Sequence, residues 1–300
     1  MYVITGATGN TGSPAAKALL ARGLKVRAIG RNADKLKALA AAGAEPFIAD
    51  QTDSEALMRA FTGAEAVYVL IPMNNAAQDF RAYQKAVLEA AAVAVEKAGV
   101  NHVVTLSSIG ADKPDKTGPV TGLHLLEERF NRIAGLSVLH VRAGYFMENT
   151  LAQIGIIQNF GVTGGPLRAD LKIGMIAARD IGAYAAHALE QKDFSGSVTR
   201  EIQGQRDLSM TEAAAIIGQA IGKPGLAYMQ LPDGQLRPAL RQVGFSDDVA
   251  NQILELSASL NSGYARALEP RSAANTTPTS YETFVAEEFV PRFRGKSAGA

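Results

Sequence analysis

Short β-branched runs alternate along the first half of the chain with longer stretches whose apolar positions recur at helical spacing. The runs at 3–5, 25–29, 45–49, 66–71, 101–106 and 136–141 predict strands. The stretches at 15–22, 32–42, 54–61, 79–98 and 122–134 predict helices, and the first four of these stop at Gly23, Gly43, Gly63 and Gly99. Parallel strands need a crossover, and a helix of this length supplies it, so the repeated unit predicts right-handed βαβ connections. The sum is an α/β fold, a doubly wound parallel sheet with helices on both faces.

Beyond residue 150 the rhythm breaks. Gly155, Gly161, Gly164, Gly165 and Pro166 predict a mobile loop over 151–171 that orders above a bound acceptor. A segment at 172–177, a helix at 179–189, a strand at 198–203 and a helix at 210–221 follow. After them come a strand at 226–231, a helical region at 235–260, and a loop-like tail from 269 that ends in a short helix at 281–289. The expected division is a nucleotide-binding domain over 1–150, with a returning segment near 172–190. Residues 151–300 would form a smaller substrate-binding or lid region.

The densest chemical signal is TGATGNTG at 5–12, between the first strand and the first helix. Strand, glycine-rich turn and helix together seat a diphosphate on backbone N–H groups at a helix N-terminus. Gly6 allows the tight turn, Gly9 a close approach to phosphate, and Gly12 close packing of helix on strand. Thr8, Asn10 and Thr11 sit between them as candidate contacts. Pro14 falls in the first helical turn, where its missing N–H is tolerated.

Composition narrows the classes. Formal net charge is +1 over 300 residues, without the clustered Lys and Arg of a nucleic-acid footprint. With no cysteine, disulfides, thiolate catalysis and Cys-based zinc sites are excluded. The four histidines lack metal-ligand spacing, and no apolar run reaches the roughly 20 residues of a membrane span. No targeting segment is expected before a strand that starts at residue 2, so a cytoplasmic protein is expected, with self-association possible.

The ends of the other strands bear on coenzyme choice. A carboxylate after the second strand would bind the adenosine ribose, whereas this chain has GRN at 30–32, with Lys35 one turn on. Arg31 either forks onto a 2′-phosphate, favouring NADP(H) over NAD(H), or pairs with Asp34. Asp50 and Gln51 close the third strand, where they either meet the adenine or cap the next turn. Ile71, Pro72 and Met73 close the fourth strand and would line the ribose crevice.

Together with that turn and GRN, the motifs TLSS at 105–108, VRAGYFMEN at 141–149, ARDI at 178–181 and NTTPT at 275–279 resemble the NmrA-like group of atypical short-chain dehydrogenases/reductases. The group includes NAD(P)H-dependent quinone reductases, dye reductases and coenzyme-sensing regulators. The resemblance implies a dinucleotide on Gly6–Gly12, with Arg31 at the 2′-phosphate and with Ser107, Tyr145 and Phe146 near the nicotinamide.

One departure from ordinary short-chain reductases matters. Those enzymes protonate a carbonyl with a Tyr-x-x-x-Lys pair, yet none of the eight tyrosines here has Lys four positions on. His124 and Glu128, on one helical face, either form a proton relay or are structural. The candidate catalytic residues are thus His124 and Tyr145. The expected reaction is hydride transfer from NAD(P)H to a quinone-like or otherwise conjugated small-molecule electrophile. The rival expectation is a redox sensor acting through a protein partner, and a sugar-nucleotide epimerase ranks last.

Overall fold

The computed structural model describes residues 1–295. Seven parallel strands form the central sheet: β1 (Tyr2–Ile4), β2 (Val26–Gly30), β3 (Glu45–Ile48), β4 (Ala66–Val69), β5 (His102–Ser108), β6 (Ser137–Ala143) and β10 (Ser197–Ile202). Their order, β3-β2-β1-β4-β5-β6-β10, reverses direction between β1 and β4, which opens a crevice beyond the carboxyl ends of those strands. The doubly wound fold is therefore as the hydrophobic pattern predicts.

Helices cover both faces, so the inner strands β1 and β4 are buried along their whole length, while the edge strands β3 and β10 are partly exposed. On one face α1 (Gly12–Ala21), α2 (Ala33–Ala41) and α7 (Ala178–Gln191) bury Leu19, Leu36 and Ile181 against Ile4 and Tyr68. On the other, α3 (Ser54–Phe61), α4 (Phe80–Ala98) and α5 (Pro119–Asn131) bury Phe61, Leu88 and Phe130 against Val3 and Val67. Asn32, Asp53 and Asp79 cap α2, α3 and α4, each accepting backbone N–H bonds of the first turn.

The carboxyl-terminal body has its own core, in which Met147, Ile157, Met175, Ile217, Tyr281 and Phe289 meet. It holds a small sheet of β7 (Tyr145–Phe146), β9 (Ile173–Ile176) and β11 (Asp207–Leu208). Beside it β8 (Thr163–Gly165) pairs with β12 (Tyr228–Gln230). Helices α6 (Gln153–Phe160), α8 (Met210–Ile221), α11 (Tyr281–Phe284) and α12 (Val290–Phe293) belong to this body, while α9 (Asp233–Gln242) packs on α10 (Asp247–Ser262), which in turn packs against α5 and the start of α4. No described helix is long and apolar enough to cross a membrane.

Three expectations are corrected. Residues 151–171 are not a mobile loop, because α6 occupies most of the first half and β8 follows. Gly164 lies where a Cβ would press on Leu231 at 3.1 Å, so it serves close approach rather than hinging. The returning segment does not stop near 190, because β10 completes the main sheet beside β6. The helical region at 235–260 is two helices, broken after α9 by Gly244 at φ +92°. In addition, α5 begins at Pro119, three residues before its expected start.

Candidate active site

Backbone sterics build the glycine-rich turn. Gly6 has φ +56°, and a Cβ on Gly12 would lie 2.3 Å from the Gly6 carbonyl oxygen. Thr8, Gly9 and Asn10 are exposed on the turn, and the first turn of α1 has no side-chain cap. Thr11 is buried, its hydroxyl accepting from the Tyr68 phenol at 3.1 Å. This concave, side-chain-poor surface at a helix N-terminus fits a dinucleotide diphosphate.

Arg31 is exposed beyond the end of β2. Asp34 does not hold it: that carboxylate pairs with Lys37 at 2.7 Å. Asp50 is held below the usual carboxylate range, first by the Thr52 backbone N–H (2.9 Å), then by the Thr52 hydroxyl (2.7 Å), with the Arg31 charge adding. The turn-capping reading of Asp50 is thus realised. Gln51 is half-buried beside it, Ile71 packs on the α3–α4 layer, Pro72 is half-buried and Met73 is 51% exposed. These residues follow β3 and β4 on either side of β1 and β2, around the crevice.

A cleft of about 340 Å³ opens beyond β5 and β6, toward the carboxyl-terminal body. Tyr145 and Phe146 line it, with Ser108, Ile109, Asn149 and Ile173. Burial pushes the Tyr145 phenol up from 10 to about 12, against a hydrogen bond with Asn149 that works the other way. It is a hydrogen-bonding phenol at neutral pH and a weaker acid than free tyrosine. Ser108 turns its hydroxyl to the Ile109 carbonyl at 3.0 Å.

Ser107 points elsewhere. Strand alternation turns it to the α5 side, where its hydroxyl donates to Glu127 at 2.5 Å. The same carboxylate takes a two-pronged bond from Arg142, at 2.9 and 2.6 Å, with both side chains largely buried. Register places Arg142 beside Ser107 and beside Glu201. One rung down the ladder, the Thr105 hydroxyl meets His140 Nδ1 at 2.7 Å, and His140 Nε2 meets Asn131 Oδ1 at 2.9 Å. Burial pushes His140 down to about 4, so the neutral ring donates from Nε2 and accepts at Nδ1.

His124 stands outside the cleft lining. Its Nδ1 lies 2.9 Å from the Ala111 carbonyl, and its Nε2 lies 3.7 Å from Glu128. The pair expected from helical spacing is formed, but neither residue lines Tyr145's cleft.

Sequence reasoning missed Glu127, Glu201 and the strap that follows α10. Glu127 had a signal, because it falls on the apolar face of α5 with Leu126 and Phe130, and a carboxylate there requires a buried partner. Glu201 had none, since its partners are main-chain amides of Leu268 and Glu269, at 2.8 and 2.9 Å. The ARDI and NTTPT motifs meet: Asp180 accepts from the Thr279 N–H at 3.0 Å and the Thr279 hydroxyl at 2.8 Å. That latch ties the tail to α7.

Comparison with known proteins agrees with this geometry. Residues 2–290 match the model of the NmrA-like family. The chain is 30% identical over 260 residues to an NAD(P)H azoreductase of Xenophilus azovorans, covering 86% of each chain. It is 30% identical over 268 residues to quinone oxidoreductase 2 of Escherichia coli, covering 88% of this chain and 89% of that one. The crystal structure of an Escherichia coli NADPH-dependent quinone oxidoreductase in complex with NADPH superposes with a TM-score of 0.73 at 25% identity, over 98% of this chain and 100% of that one. The glycine-rich turn, the switch-point crevice and a family match over nearly the whole length agree, and the chain belongs to the NmrA-like family.

Proposed function

We propose that this protein is an NADPH-dependent oxidoreductase that reduces a quinone-like or otherwise conjugated electrophile by hydride transfer. The observation that carries the reading is a cleft at the carboxyl edge of the sheet lined by Tyr145, whose phenol is raised by burial and which has Asn149 rather than lysine four positions on. The azoreductase and quinone reductase relatives support it.

The turn at Gly6–Gly12, with Thr8, Asn10 and Thr11, would hold the diphosphate. Arg31 would take the 2′-phosphate, and Gln51, beside the turn-capping Asp50, would face the adenine. Ile71, Pro72 and Met73 would border the ribose crevice. When bound, the reduced nicotinamide supplies a hydride. Tyr145 and Phe146 form the wall against which a flat acceptor lies, and orientation in that slot carries the rate.

A ketone that takes hydride becomes a strongly basic alkoxide and needs a positioned acid. A quinone takes the same two electrons to give a stabilised phenolate, which solvent protonates. Ser107 contributes by holding Glu127 and Arg142 under the cleft floor, and His124 by holding the Ala111 loop.

The test is turnover. Purified protein with NADPH is expected to consume it with quinones and to leave simple ketones untouched. Coenzyme binding without consumption across a quinone panel would replace this reading with the coenzyme sensor. Removing a general acid costs about 10²–10⁴-fold. His124→Ala is expected to fall well short of that for good and poor acceptors alike, and a loss confined to poor acceptors would restore His124 as a proton donor.

A further inference from the structure

The charges at the rim of the cleft are unevenly satisfied. Three charged residues line it: Lys172, Asp207 and Arg266. Asp207 is engaged by Arg271, and Lys172 pairs with Glu212 at 3.2 Å. Arg266 has no carboxylate within ion-pair distance among the described residues, yet it lies on the cleft.

Arg266 is also held in place at its backbone. It belongs to a strap after α10 whose residues Gly263, Ala265 and Ala267 line the same cleft. Downstream, the Leu268 and Glu269 amides both donate to the buried Glu201 carboxylate. Upstream, the Tyr264 hydroxyl donates to Asp115 at 3.2 Å, and the Lys113 ammonium sits 5.4 Å from the Tyr264 ring centre. Between them Ala265 is 2% exposed, packed close to Gly110. A guanidinium on a strap pinned on both sides loses less freedom on binding than one on a free loop.

Below the rim the cleft is apolar, with Ile109, Phe146, Ile173, Leu256 and Leu260 in its lining. An apolar slot under an unpaired guanidinium suits a molecule with a flat conjugated body and an anionic substituent at its outer end. We infer that Arg266 is a specificity residue for acceptors that carry a carboxylate, sulfonate or phosphate. This rests on the proposed acceptor site, because it names the class of molecule that enters it. Guanidinium is the suitable cation, since its planar fork meets such oxyanions with two hydrogen bonds.

The experiment compares 1,2-naphthoquinone with 1,2-naphthoquinone-4-sulfonate, using NADPH and the full chain. Arg266→Ala is expected to lower the ratio of kcat/KM, sulfonated over unsulfonated, about tenfold, the size of a charge-assisted hydrogen bond at a partly open site. Arg266→Lys should recover part of the ratio, and added salt should lower it in the wild type but not in Arg266→Ala. An unchanged ratio in Arg266→Ala would overturn the inference.

A second arm needs no turnover. Binding of 1-naphthalenesulfonate to protein saturated with NADP⁺ is read by calorimetry, with naphthalene methanol as the uncharged control. Loss of the preference for the sulfonate in Arg266→Ala supports the inference even if neither quinone is reduced, an outcome that would count only against the reductase reading. Equal binding of both probes to the wild type would remove the anion site itself.

Discussion

Two helices that pack side by side on one face of the sheet, α1 and α7, use the same physical device in opposite ways. Each presents unpaired N–H groups and the positive end of its dipole at its N-terminus. At α7 the protein fills that end from within: both carboxylate oxygens of Glu148 accept from the Ala178 N–H, at 3.0 and 3.1 Å. At α1 no side chain caps the first turn, and Thr8–Asn10 stays exposed. The two ends touch through backbone, since a Cβ on Gly182 of α7 would lie 2.6 Å from the Thr11 carbonyl oxygen. A terminus satisfied by its own chain serves stability, and the one left open is where the proposed coenzyme diphosphate would sit.

The comparison breaks most directly at Gly12. The Gly12→Ala methyl has no room beside the Gly6 carbonyl, so the turn must shift. Overpacking of this kind costs about 1–3 kcal/mol of stability, and NADPH affinity measured by calorimetry should fall at least about tenfold through the distorted turn. An unchanged dissociation constant would detach the α1 terminus from the coenzyme. Next in size is Arg31→Ala. The backbone of the turn would serve NADH and NADPH alike, whereas Arg31 would distinguish them by one phosphate. A lost charge-assisted contact is expected to weaken NADPH by about ten- to a hundredfold, leaving NADH nearly as before. Equal weakening of both would remove the coenzyme preference.

The open terminus was legible in the sequence and the filled one was not, for a physical reason. The turn at 5–12 is contiguous, so its glycines and the helix behind them announce one backbone shape. Glu148 reaches Ala178 across 30 residues, and neither sequence neighbourhood contains the other. The same holds across the molecule. The strand–helix rhythm up to β6 follows from local periodicity, whereas the reversal of strand order that makes the crevice is read only from the long-range pairing of β1 with β2 and β4. The strap carrying Arg266, pinned by Glu201 from 67 residues away, has no local pattern. Glycines misled where their reason was tertiary: Gly164 lies in a strand pressed against Leu231, which composition alone reads as looseness. Ser107 was placed by motif at the right strand end, but the side it faces depended on Glu127, a residue on another element.

Glu148→Ala sharpens the contrast from the other side. It leaves the Ala178 N–H without its acceptor, and losing such a cap is worth about 1–2 kcal/mol. Denaturant unfolding should show that loss while NADPH affinity stays close to wild type. A parallel drop in affinity would mean the two termini act as one unit through the Gly182–Thr11 contact.

The smallest effect is the pH dependence of the filled terminus. Burial raises the Glu148 carboxyl above its ordinary 4.5, against the Ala178 bond that works the other way, and the neighbouring Glu288 and Asp180 charges add to the rise. The folded protein therefore keeps this proton to higher pH than the unfolded chain does. Its contribution is full below the unfolded value and is lost as pH rises through the folded one. Glu148→Gln keeps an oxygen for the Ala178 N–H and does not titrate. The unfolding free energy of wild type minus that of Glu148→Gln should accordingly fall as pH is raised from the ordinary carboxylate value toward neutrality. A difference that stays flat over that range would show that the carboxylate is already charged and comfortable at α7, drawn there by the helix dipole more strongly than burial repels it.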